Sequence, residues 1–135
     1  MLGELNYLAI IIAAVAWIAL SFIWFEGIFK AQWRAAAGVA PDWKPGNAPI
    51  GAAVLALLSA VVLDVILTII EPGTVTGPGW LAGAVIAFIM WVGFVFTGHT
   101  QEALFMATDR RRYWIETSYT LVGMLIMGAI IGFWH

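Results

Sequence analysis

The sequence predicts an all-α fold, a polytopic transmembrane four-helix bundle, on three observations. Hydrophobic residues make up 63% of the 135 and charged residues 10%, whereas soluble domains average ~45–50% and ~25%. Four apolar runs each approach the ~20 residues that cross a hydrocarbon core of ~30 Å. Every Lys and Arg falls in two of the connections: Lys30, Arg34 and Lys44 after the first run, and Arg110, Arg111 and Arg112 before the last. The four runs occupy most of the chain, so 1–135 reads as a single membrane domain with no room for a soluble catalytic domain.

The first span, residues 5–25, ends where Glu26 and Lys30 introduce charge. No positive side chain precedes Lys30, so the basic segment that opens a secretory signal is missing and the run reads as a retained span. The longest connection comes next. Its residues 28–37 are helix-compatible, with Trp33 between Lys30 and Arg34, as in a helix lying at the membrane interface. Residues 41–47, Pro-Asp-Trp-Lys-Pro-Gly-Asn, are turn chemistry. The second span, 49–70, is rich in Val and Ile, yet lipid demands a helix, because an open sheet edge leaves backbone groups unsatisfied there. It ends at Glu71-Pro72-Gly73, and a tight turn through Gly77-Pro78-Gly79 leads into the third span, 79–98. A polar stretch from His99 to Arg112 precedes the fourth, 113–134. His135 reads either as a natural end or as the start of a tag.

Basic loops stay in the cytoplasm, so the expected topology has both basic connections inside and both termini outside. Trp24 and Trp114 then mark one interface and Trp80 and Trp134 the other, as aromatic belts do.

Asp64 is the sharpest chemical feature. It lies on a stripe with Ala52, Ala56, Ala60 and Thr68, each four residues from the next. Small residues at that spacing let helix backbones approach closely, which drives association where lipid offers no hydrophobic force. A carboxylate at such depth costs ~2.5–3.5 kcal/mol on insertion scales and must face protein or water. Two readings compete: a proton- or ion-handling group, or a polar clasp to Thr, Ser or Tyr of a neighbouring helix. The clasp is the stronger, because no second mid-membrane charge completes a relay. Gly79 and Gly83 in the third span, and Gly128 and Gly132 in the fourth, form further packing ladders, internal or between protomers.

A polar cluster gathers at the cytoplasmic side: Glu26, His99, Glu102, Glu116 and Tyr119. Carboxylates and a His projecting from helix ends are the raw material of bundle metal sites, but the paired Glu-x-x-His motifs are missing. Ordinary salt bridges with the six basic residues explain the cluster better, and no metal is expected. Arg110, Arg111 and Arg112 read as a topology anchor against anionic headgroups. The chain has no cysteine, which excludes disulfides, iron–sulfur clusters, covalent haem attachment and thiolate zinc sites. Nothing matches a phosphate-cradling loop, a nucleophile elbow or a nucleic-acid surface. No cofactor and no nucleic-acid partner are expected.

Three segments carry a family likeness: Leu5-Asn6-Tyr7-Leu8-Ala9-Ile10, then Trp24-Phe25-Glu26-Gly27-Ile28-Phe29-Lys30-Ala31-Gln32-Trp33, and the closing stretch from Tyr119 to Trp134. They resemble the DUF1761 family of small four-span bacterial membrane proteins. At the exit of the first span the family's Gly-Lys pair is displaced here to Gly27 and Lys30. The resemblance implies the fold, the topology and a place in a bacterial inner membrane, and it implies no activity and no catalytic residues. The leading functional expectation is a structural or accessory subunit that packs against itself, as a homo-oligomer, or against a larger membrane complex. The alternative is an oligomeric transporter or channel using Asp64, with a membrane enzyme using the Glu/His cluster a distant third.

Overall fold

The computed structural model describes residues 5–135 except Pro41, Trp43, Pro45 and Pro72. The expected turn at 41–47 and the Pro72 corner therefore lie partly outside the described residues, as does the chain before Leu5. The helices are α1 (Tyr7–Ile28), α2 (Lys30–Ala37), α3 (Ala48–Ile69), α4 (Gly79–Met106) and α5 (Arg110–Phe133), with no strand among the described residues. Helices α1, α3, α4 and α5 are long and apolar enough to cross a membrane. The chain is a polytopic four-helix bundle with one short extra helix, α2.

Local chemistry sets the ends. Asn6 caps α1, its side chain accepting the Ala9 N–H at 3.1 Å, which satisfies one of the donors a helix start leaves open. Gly38 ends α2 at a φ of 75°, the left-handed conformation that a residue without Cβ adopts freely. Pro49 stands in the first turn of α3, where its missing N–H removes no intrahelical bond. Asp109 caps α5, accepting the Arg111 N–H at 2.8 Å. That N–H, with the Arg111 guanidinium 3.5 Å away, holds the Asp109 carboxyl below its ordinary value of 3.8.

The helices outrun the apolar segments that announce them. Helix α4 continues past Gly98 to Met106 because nothing in His-Thr-Gln-Glu-Ala-Leu-Phe-Met breaks a helix; it stops where Ala107 turns left-handed, at φ 51°. Hydropathy locates the lipid boundary, and caps locate the helix ends. Two stretches also depart from α geometry, Phe22–Ile28 in α1 and Trp91–Phe96 in α4. Both are π-helical. In the first, the Phe29 N–H reaches back five residues to the Trp24 carbonyl at 2.9 Å.

Helix α5 is the hub, packed against α1 and, most extensively, α4, with a lighter contact to α3. The α4–α5 crossing is a backbone-to-backbone contact. A Cβ built on Gly83 would strike the Gly128 carbonyl oxygen, and one on Gly132 would strike that of Gly79. The four ladder glycines therefore lock two helices of one chain together. A core of Ala9, Ile10 and Ala13 from α1, Ala60 and Leu63 from α3, and Met127 and Ile131 from α5 lies toward the Asp64 end. The half of the bundle that carries the basic connections is less tightly filled.

Two outcomes test this packing. Gly83→Val or Gly128→Val forces the α4–α5 crossing apart and lowers stability by about 2–3 kcal/mol, the usual cost of overpacking a tight contact, whereas Gly51→Ala, which meets open space, is neutral or slightly stabilising; thermal unfolding in mild detergent checks both. The Asp109 cap is complete at neutral pH and is lost as pH falls through the lowered folded pKa, so protection of the Arg111 amide from hydrogen exchange drops there and is low at every pH in Asp109→Ala.

Candidate functional site

Two places combine buried polar groups with space: the region around Asp64, and a cavity in the basic half. Asp64 is fully buried. Its Oδ2 accepts the backbone N–H of Asn6 at 2.8 Å, and its Oδ1 meets Nε2 of His135. The carboxylate thus lies at the N-terminus of α1, where the helix dipole favours negative charge, and receives the His that comes after α5. One side chain of α3 gathers two helix ends, the start of α1 and the close of α5. The sequence expectation of a hydroxyl partner fails: Thr68 Oγ1 donates to the Asp64 backbone carbonyl at 2.8 Å, within its own helix, and touches no neighbour through that bond. Neither true partner carries a sequence signal, because one is a backbone N–H and the other is a lone His beyond the last span. A recess of about 390 Å³ adjoins His135 and is lined in part by Thr68, Glu71 and Gly79.

Of the expected stripe on α3, Ala56 and Ala60 are buried, while Ala52 is exposed and faces a cavity. The stripe changes role along its length, from packing surface to cavity wall.

The polar cluster at the basic end divides. Glu26 pairs with Arg34 at 3.3 Å and with Lys30 at 3.8 Å. Glu116 Oε1 accepts from Arg112 Nε and from Trp33 Nε1, each at 3.0 Å. Tyr119 is buried, with its ring 4.9 Å from those of Phe25 and Trp17. His99 and Glu102, by contrast, stand on the extension of α4, which meets α5 where the Thr100 and Tyr113 hydroxyls lie 2.6 Å apart; Glu102 is exposed. Among the described residues no three His, Asp or Glu side chains converge to hold a metal ion. Arg110 and Arg111 are exposed at the start of α5.

Tryptophans organise the hub in a way composition alone does not reveal. Trp24 donates its indole N–H to the Ile115 carbonyl at 2.9 Å, Trp33 to Glu116, and Trp91 to Thr120 Oγ1 at 3.0 Å. All three acceptors belong to α5. An indole N–H inside a membrane protein needs such a partner, so these residues tie α1, α2 and α4 to the hub.

Between α1, α2, α3 and α5 lies a cavity of about 550 Å³, within the ~300–1,000 Å³ usual for ligand sites. Trp17, Phe25, Trp33 and Tyr119 form one wall, and Ala48, Ala52, Leu55 and Ser59 of α3 the other. A second space of about 430 Å³, between α3, α4 and α5, meets it at Trp17 and Ser59.

A family profile described as "Protein of unknown function (DUF1761)" matches residues 8–132. The chain belongs to that family. No curated protein and no solved structure matches it.

The clasp makes a graded prediction. Asp64→Ala leaves the Asn6 N–H without an acceptor and destabilises the protein by about 1–3 kcal/mol. Asp64→Asn keeps an acceptor for that N–H and loses less. Denaturant titration of the purified protein in micelles should rank the wild type above Asp64→Asn and Asp64→Asn above Asp64→Ala.

Proposed function

We propose that this DUF1761 member is a structural or accessory subunit of a bacterial cytoplasmic membrane, acting through helix packing with itself or with a larger membrane complex. One observation carries the reading. Asp64, the ionisable side chain placed deepest in α3, is engaged on both oxygens by its own chain. A conduit needs a polar lining that exchanges partners with its cargo, and a carboxylate held by a helix N-terminus and a His serves cohesion instead. The transporter or channel reading places its ion or proton on this same group and requires the clasp to open.

The docking surface does not fall on the glycine ladders or on Ala56 and Ala60, which are occupied within the chain. It falls on the outward aliphatic side of α3, where Ile50, Val54 and Leu57 are exposed. Both basic connections face the cytoplasm in this proposal, by the bias of Lys and Arg toward those two loops.

Native mass of the protein extracted into lipid nanodiscs, with every co-purifying chain identified, tests the assignment. The expected result is a homo-oligomer or a stoichiometric larger complex that Val54→Asn weakens. A lone monomer, together with proton flux in liposomes that Asp64→Asn abolishes, overturns it in favour of transport. Because the chain has no native cysteine, single Cys residues at Thr74 and Gln101 report orientation directly. An impermeant thiol reagent applied outside the cell should label the first and spare the second.

A further inference from the structure

The basic half of the bundle is open because α3 keeps its small residues where it has no helix to meet. Ala56 is buried, whereas Ala48 and Ala52 on the same stripe face the cavity, opposite the rings of Trp17, Phe25, Trp33 and Tyr119. The α3 wall from Ala48 to Ser59 measures about 16 Å at 1.5 Å per residue. That is the depth of a single leaflet, half of a core ~30 Å thick. Most polar groups of the lining are engaged: Ser21 Oγ donates to the Ile18 carbonyl at 2.5 Å, the Tyr119 hydroxyl to the Trp17 carbonyl at 3.3 Å, and the Glu26 carboxylate pairs with Lys30 and Arg34, which leaves the Ser59 hydroxyl. Water needs two to four polar partners to settle in such a space, so hydrocarbon suits it better.

The surroundings of the cavity are basic. Lys30 and Arg34 share the carboxylate of Glu26, and Arg112 pairs with Glu116, which also receives Trp33. Three cations therefore face two carboxylates. Helix α2 contributes Trp33 to the wall, and its Lys30 and Arg34, ion-paired to Glu26 of that wall, line a separate recess of about 480 Å³.

We propose that this cavity is a binding site for one anionic phospholipid, which inserts an acyl chain between α1 and α3 and lays its phosphate against Lys30 and Arg34. The aromatic wall supplies contact area for the chain, and the alanines leave its path clear. The excess positive charge selects an anionic headgroup over a zwitterionic one, by roughly fivefold per effective cation at a membrane surface. This site is independent of any docking on the outer side of α3.

Native mass spectrometry of the full chain, released from nanodiscs of equal phosphatidylglycerol and phosphatidylcholine, tests the proposal. One phosphatidylglycerol retained per protomer is expected. Ala52→Trp, which fills the cavity, should cut the retained fraction at least fivefold, and Lys30→Gln should lower the preference for phosphatidylglycerol by several-fold. If Ala52→Trp does not fold, Ala48→Phe at the exposed first turn of α3 repeats the test. Retention unchanged by the filling variant, equal retention of both lipids, or a lipid-free dimer with a second copy in the cavity would each overturn the assignment.

Discussion

The rest of the structure depends on the contact between the backbones of Gly83 and Gly128. In water, burial of apolar area would hold two such helices together; in lipid that force is absent, and close van der Waals approach replaces it. Removing Cβ at Gly79, Gly83, Gly128 and Gly132 lets α4 press its main chain onto that of α5. With that pair fixed, α5 becomes the frame on which the other elements are arranged. Trp24 and Trp33 reach it through indole hydrogen bonds, and Trp17 lies against Gly123, where a Cβ would strike its ring.

Much of this was legible in the sequence, for a physical reason. Bilayer thickness dictates span length, and lipid forbids unsatisfied backbone, so composition alone fixes four helices. Glycine spacing in the third and fourth spans marked close-packing faces, but left open whether they meet within the chain or between protomers. Partners were not legible. Asp64 was visible as an expensive buried carboxylate, but its acceptor sites are filled by the Asn6 main chain and by His135, and neither group announces itself by type or spacing. Glu26, Glu116 and Tyr119 come near one another through the packing of α1 and α2 on α5, while His99 and Glu102 stand on a helical extension of α4 that hydropathy had ended eight residues too soon.

The bundle is two-sided in character. Toward the Asp64 end, alanines of α1 and α3 pack tightly beneath a polar knot that joins the ends of α1 and α5 to α3. Toward the basic end, the same α3 stripe lines a cavity walled by aromatic rings. Cohesion is concentrated at one end and open volume at the other, so changes that fill the open half need not disturb the packed half.

The two π-helical stretches give the chain a further property. Each widens its helix and makes the backbone phase lag behind that of an α-helix, in which every residue turns the next by about 100°. Side chains beyond Trp91–Phe96 therefore point elsewhere than a helical wheel drawn from Gly79 and Gly83 would place them, and the same holds for Phe25, Glu26 and the rest of α1 beyond Ser21. A one-residue deletion within either stretch would restore regular winding and leave every later side chain of that helix near its present direction, because the wider turn is what absorbs the extra residue. The extra residue thus belongs to the wider turn, and a comparison between relatives keeps later side chains in register by placing a one-residue gap inside these segments, not beyond them.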